Sequence, residues 1–323
     1  MALPVFDGHN DVLLAERSFA DASDEGELDL ARARAGGFAG GFFAIFTPHP
    51  DGYTPGGAGP EPPVDHELAL DHTFRGIRKL LDLERDGAVR IAREPEDLTL
   101  DGDVLAVMHI EGAEAVDAEL ELLPALHALG LRSIGLTWSR PNAFAHGVAP
   151  TSGPGLTDAG RALVRACEEL GILVDLAHLN EAGFWDVAEL AARPLVVTHG
   201  CAKTLVDHPR NLTDRQLDAI GESGGVVGIC FHHEHAGPER ADIVRHIQYV
   251  ADRLGPEHVA LGSDFDGAEM PAGMRGAQDL PLLLDDLGWS DDELRLVAHE
   301  NLLRVLRQVQ NAASSRASPT GSS

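Results

Sequence analysis

The sequence predicts a (β/α)8 TIM barrel, and three observations in its 323 residues carry the prediction. The first is a set of eight short apolar runs, most of them separated by stretches with helical spacing. Runs that are continuously apolar rather than alternating mark strands covered on both faces, as in a parallel sheet. The second is length, since one such barrel takes about 250 residues and leaves room here for extensions. The third is that histidines and carboxylates stand at the C-terminal ends of several runs, the rim where these barrels carry their chemistry. A doubly wound open sheet is the alternative. No Gly-x-Gly-x-x-Gly follows the first run, which weakens the dinucleotide-binding version of it.

The first strand lies within Pro4 to Val12 and ends in His9-Asn10-Asp11. Side chains two apart on a strand share a face, so His9 and Asp11 can grip one ion together if the strand ends there. A polar segment over 20–30 leads to a second strand, 39–46, and then to a Pro/Gly-rich loop over 47–63. Leu68, Leu70, Phe74, Ile77 and Leu81 predict a helix over 66–83. A small strand at Val89-Arg90-Ile91 reads as an insertion before the third barrel strand, 104–112, which ends in Glu111. From there the alternation is regular. Strands at 131–138, 172–178, 194–200, 225–231 and 259–267 are interleaved with helices at 120–129, 157–170, 182–190, from Asn211 and Thr213 onward, and at 241–254. Helices at 280–287 and 291–309 close a single domain, 1–311, and the Ser-rich piece 312–323 is expected to be a disordered polar tail.

Apolar residues make up 44% of the chain and charged ones 24%, a globular profile. The net charge of -27 repels phosphates and anionic headgroups, so neither nucleic acid nor membrane is an expected partner. Cys167, Cys201 and Cys230 are too scattered for a disulfide framework or a Cys-x-x-Cys zinc site. With no signal peptide and no long apolar run, a soluble cytoplasmic protein is expected. A homodimer is compatible with everything legible here.

The constellation of strand-terminal groups is the functional signal. His9 and Asp11 together, Glu111, His178, His199 and Asp264 end five of the eight runs and would meet on one rim. One cation could take His9, Asp11 and Glu111, and a second Glu111, His178 and His199, with the carboxylate bridging. Imidazoles and carboxylates without thiolate suit Zn²⁺ or another divalent first-row ion. Paired cations acidify a water and polarise a carbonyl, and Asp264 would then serve as the base that moves the proton.

The motifs Phe6-Asp7-Gly8-His9-Asn10-Asp11, Ile110-Glu111-Gly112-Ala113, Asp175-Leu176-Ala177-His178, Thr198-His199, Arg210-Asn211 and Ser263-Asp264-Phe265-Asp266-Gly267 resemble, in order and spacing, those of the renal (membrane) dipeptidases, the M19 metallopeptidases. The resemblance spans Val5 to about Val309. It implies a barrel of the amidohydrolase type with two zinc ions held by His9, Asp11, Glu111, His178 and His199, and Asp264 handling the proton. It implies that Arg210 binds the free carboxylate of a dipeptide, a task its fork suits. Many amidohydrolases bridge their metals with a carbamylated Lys. Here only Lys79 and Lys203 exist, neither at a strand end, so Glu111 is the bridge on offer. The chain departs from the pattern at Trp138, where mammalian members carry a His after Leu-Thr. Oxyanion stabilisation would then fall to the metals, to the indole N–H, or to a neighbour such as His146. Trp138 and Asn142 are taken as candidate substrate contacts. His232-His233-Glu234-His235 is read as a loop at the pocket mouth, and His109 as a hydrogen-bonding support for the ligands.

The expected activity is hydrolysis of dipeptides with a free C-terminal carboxylate. The alternatives are a related amidohydrolase acting on N-acyl amino acids, β-lactam-like amides or lactones, and a non-catalytic binder of metal or amino acids.

Overall fold

The computed structural model describes residues 2–49, 63–148, 153–192 and 194–317, with residues 316 and 317 described by backbone alone. Most of the predicted Pro/Gly-rich loop lies outside the described residues. The strands are β1 Val5–Asn10, β2 Phe38–Phe46, β3 Arg90–Ile91, β4 Leu105–Glu111, β5 Leu131–Gly135, β6 Leu173–Asp175, β7 Val196–Gly200, β8 Val226–Cys230 and β9 Val259–Gly262. All pair in parallel in the order β1-β2-β4-β5-β6-β7-β8-β9, while β3 sits off this path against the start of β4. The inserted strand at Val89 to Ile91 is therefore present, and outside the ring. The barrel closes at its rim, where Asp11 N–H donates to the Phe265 carbonyl at 2.8 Å and Asp264 N–H to that of His9 at 2.9 Å.

Strand alternation sorts the core into two layers. Phe43, Ile45, Ala106, Met108, Val197, Val227 and Leu261 face the surrounding helices. Their neighbours Phe42, Leu105, Val107, Val196, Val226 and Ala260 fill the interior, joined there by Phe6 and Leu173. Helix Asn301–Ala317 sets Leu302, Leu303, Val305, Leu306 and Val309 against that inner layer and plugs the N-terminal end. Each such side chain contributes about 1.5–3 kcal/mol on burial.

Two features set the rim. Gly8, Gly228 and Gly262 surround the Thr198 carbonyl so closely that a Cβ at any of them would collide with it. Their bare backbones let β7 lean into the barrel. Register irregularities between Asp7 and Asn10 on β1 and between Val197 and Gly200 on β7 then disturb the alternation just where the histidines lie. Such irregularities re-aim side chains. β1 ends at Asn10, so Asp11 lies just beyond the strand and meets His9 from there.

Helices follow the predicted spans closely, and the differences away from the site are these. Leu30–Gly36 is a short helix between the polar segment 20–30 and β2, where no element was expected, and it is capped by the Asp29 side chain. The helix expected from Leu120 begins at Leu123, because Leu120 is left-handed (φ 64°) and Asp117 caps the Glu121 and Leu122 amides instead. The last helix is interrupted by a π-helical turn, Leu296–Glu300. It then runs on to Ala317, past Ala312 where a disordered tail was expected to begin.

Candidate metal centre

Glu111 ends the inward row Leu105, Val107, His109, Glu111 of β4, so the same alternation that fills the floor with apolar groups delivers a carboxylate to the rim. Its Oε1 lies 3.1 Å from His178 Nε2, 3.6 Å from His199 Nε2 and 3.8 Å from His9 Nε2. One oxygen thus faces three imidazoles from three other strand ends. His9 Nε2 is 3.2 Å from Asp11 Oδ2 and 3.9 Å from Asp264 Oδ1, and His178 and His199 bring their Nε2 atoms to 3.0 Å. His9, Glu111 and His199 can share one cation, as can His9, Asp11 and Asp264. Asp264 is therefore drawn into the cluster rather than standing apart from it.

Hydrogen bonds behind the imidazoles fix which nitrogen faces inward. The Thr198 hydroxyl donates to Asp175 Oδ2 at 2.6 Å, so it accepts from His199 Nδ1–H at 3.0 Å. That leaves a lone pair on Nε2, the form a metal ligand needs. Ser139 Oγ holds His178 Nδ1 at 2.9 Å. Ser133 Oγ holds His109 Nδ1 at 2.9 Å, and the His109 ring stands edge-on to His9. Asp7 accepts both the Ser263 amide and hydroxyl at 2.7 Å, tying β1 to the residue before Asp264.

The donor set fits a divalent cation on electrostatic grounds. Asp11, Glu111 and Asp264 are buried beside three imidazoles. Burial pushes Glu111 up to about 8 and raises Asp264 as well. Burial alone would depress His9, but Glu111 and Asp11 outweigh it and hold the ring up to about 10. His178 and His199 are driven well below the usual range by burial and stay neutral. The cluster must otherwise share protons to balance its charge, and a bound cation takes their place.

The remaining predicted residues surround this centre. Arg210 is buried behind His199, donating from Nη2 to its carbonyl at 3.1 Å, while its Nε has no hydrogen-bond partner among the described residues. Trp138 is buried between Phe46 and His178, ring centroids 5.1 and 5.6 Å away, with the Arg140 guanidinium over its face. Asn142 is engaged with backbone: Nδ2 donates to Leu136 and Oδ1 accepts from Phe144 and Ala145, bracing the loop. His146 keeps a buried Nδ1 without a hydrogen-bond partner among the described residues. His232 to His235 form a short helix, His233–Ala236, in place of the expected loop, because His232 Nδ1 accepts the Glu234 amide and starts a turn. His235 is buried, 4.5 Å from the rings of both His208 and His232. Sequence reasoning missed the roles of Ser139, Ser133, Asp175 and Thr198. The signal available for the last two was their place in the Asp175-Leu176-Ala177-His178 and Thr198-His199 motifs.

An eight-stranded parallel barrel with imidazoles and carboxylates gathered on its C-terminal rim defines the class: a TIM barrel of the metal-dependent hydrolase type. The chain belongs to the membrane dipeptidase family, peptidase family M19, whose model matches residues 1–320. It is 42% identical over 253 residues to an uncharacterised protein of Klebsiella pneumoniae from the pqqA 5′ region, covering 72% of this chain and 93% of that one. It is 31% identical to the dipeptidase aclJ of Aspergillus oryzae, covering 98% of this chain and 80% of the relative. The crystal structure of a metallo peptidase from Rhodobacter sphaeroides, liganded with a phosphinate mimic of the dipeptide L-Ala-D-Ala, superposes with a TM-score of 0.90 at 41% identity, over 96% of this chain and 100% of that one. Membership makes the chain a metallopeptidase of the dipeptidase type. Among the described residues no helix is long and apolar enough to cross a membrane.

Proposed function

We propose that this chain hydrolyses the peptide bond of dipeptides bearing a free C-terminal carboxylate, with two divalent cations, zinc by preference, held by His9, Asp11, Glu111, His178 and His199. The observation that carries the reading is the position of Glu111 Oε1, within 3.1–3.8 Å of imidazole nitrogens from both halves of the cluster. A carboxylate so placed suits a shared ligand. An all-N/O donor set suits zinc. The bound cations supply Lewis acidity towards a carbonyl oxygen and lower the pKa of a water.

Everything else is the work of the chain's own groups. Asp264, on the Asp11 side of the cluster, accepts the proton of the attacking water and returns it to the leaving amine. Arg210, with one nitrogen committed to the His199 carbonyl and Nε unengaged, offers its remaining donors to the substrate carboxylate. Trp138 walls the His178 side and keeps bulk water off that ligand. The similarity to a peptidase crystallised with a dipeptide mimic supports the same substrate class.

Metal content per chain, measured alongside hydrolysis of a dipeptide panel with free and amidated C-termini, tests the reading. The expected result is two metals and a strong preference for the free carboxylate that Arg210→Met abolishes. Faster turnover of N-acyl amino acids or lactones than of any dipeptide would overturn the substrate assignment. Metal binding without turnover of either would leave a binder rather than an enzyme.

A further inference from the structure

Asp264 is held by its two oxygens in different ways. Its backbone is left-handed (φ 63°) and its N–H is bonded to His9, so the chain places the carboxyl group but leaves its side-chain rotation open. Oδ1 lies 3.9 Å from His9 Nε2, on the side of the cation cluster. Oδ2 lies 3.5 Å from Cys230 Sγ. Among the described residues that thiol is the one hydrogen-bond donor to either carboxylate oxygen.

Cys230 is the last residue of β8, fully buried and paired with Gly262 of β9, two residues before Asp264. Its sulfur accepts the His232 amide at 3.4 Å, which leaves the S–H proton to be donated. Two acceptors are within reach, Asp264 Oδ2 at 3.5 Å and His235 Nδ1 at 3.7 Å. The carboxyl oxygen is the nearer of the two.

We infer that Cys230 is a positioning residue for Asp264: its S–H donates to Oδ2 and turns Oδ1 towards the cations. The inference rests on the proton-carrying role proposed for Asp264. A packing role for Cys230 would not require any particular acceptor beside the sulfur. A donor role does.

Infrared spectroscopy of the S–H stretch on the purified protein tests this directly. Subtracting the spectrum of Cys230→Ser isolates the Cys230 band from those of Cys167 and Cys201. The band is expected below the free-thiol frequency and to move up in Asp264→Ala; an unchanged band in Asp264→Ala overturns the inference. In turnover, Cys230→Ala should lower kcat about tenfold, the scale of groups that orient catalytic ligands, with KM and metal content within twofold of wild type. Cys230→Ser, which keeps a donor, should recover most of the loss. Wild-type kcat in Cys230→Ala, or equal losses in the Ala and Ser variants, would also overturn it. If Cys230→Ala does not fold, the infrared comparison decides alone. It also decides if no dipeptide is hydrolysed, so failure of the substrate assignment stays distinct from failure of this one.

Discussion

At the floor of the barrel Phe6, Phe42, Val107, Leu173, Val196 and Val226 close on Leu302 and Leu306 of the last helix, whereas at the rim Asp11, Glu111 and Asp264 face His9, His178 and His199 in an almost equally buried space. Water is removed from both ends, with opposite consequences. Removing water from the apolar floor stabilises the fold. Removing it from the rim strands charge, shifts its protonation and works against the fold unless a cation is present. Backbone strain is divided the same way. Of the non-glycine residues with left-handed backbone among those described, His178, Asp264 and Asp266 lie at the rim and only Leu120 elsewhere. Such residues cost of order 1–3 kcal/mol each and persist where surrounding structure holds them. The floor supplies the stability, and the rim uses it.

The strongest way to break this contrast is at Glu111. Glu111→Gln should lower dipeptide hydrolysis roughly a thousandfold, about 4 kcal/mol. The Tm of the metal-free protein should not fall, because the change removes a carboxylate that burial already pushes up to about 8. Melting and activity measured on one preparation check it; a Tm lowered as far as in a floor variant would erase the distinction between the two ends. The complement is Leu306→Ala, which should cost about 3 kcal/mol in urea unfolding while kcat of the folded enzyme stays unchanged.

Acid should act on the rim through His246, whose Nδ1 accepts the Ala202 amide and whose Nε2 lies 3.1 Å from the Ala236 carbonyl, linking the segments after β7 and β8. Burial pushes this imidazole down to about 4 from 6.5. Because the unfolded chain takes up the proton first, the stabilisation is complete above pH 6.5 and is lost as pH falls towards 4. The loss amounts to about 3 kcal/mol. Unfolding of wild type and His246→Gln across this range should show the extra slope in wild type alone; parallel curves would assign acid sensitivity to other groups. The smallest change is Ser139→Ala. Freeing His178 Nδ1 should weaken metal affinity ten- to a hundredfold, about 1–3 kcal/mol, in competition with a chelating dye. Unaltered affinity would show that packing against Trp138 orients His178 unaided.

Much of this was legible in the sequence because it depends on short-range pattern. A continuous apolar run bounded by turns identifies a strand, and a His or Glu at its end marks the rim, as at Val104 to Gly112 and Leu195 to Gly200. What escaped depends on partners distant in sequence. Nothing near Cys230 announces that its sulfur meets Asp264, and nothing near Ser139 announces His178. Nothing near Asn142 announces that its polar atoms bond the backbone of Leu136, Phe144 and Ala145 and brace the loop. Leu30–Gly36 escaped because its short apolar pattern is too weak to announce a helix, and it is held by the Asp29 cap.

The sequence by itself determined the barrel, the order of its strands and the set of side chains that end them, since period and composition act within a few residues of each other. The three-dimensional packing alone settled that a single oxygen of Glu111 faces all three imidazoles, that irregularities in β1 and β7 and the bare backbones of Gly8, Gly228 and Gly262 let the His9 and His199 strands close in, and that hydroxyls behind two rings fix them in place. The physical reason is that a hydrogen bond or an ion's reach is set to a few tenths of an ångström by strands far apart in the chain, a constraint that no local pattern encodes.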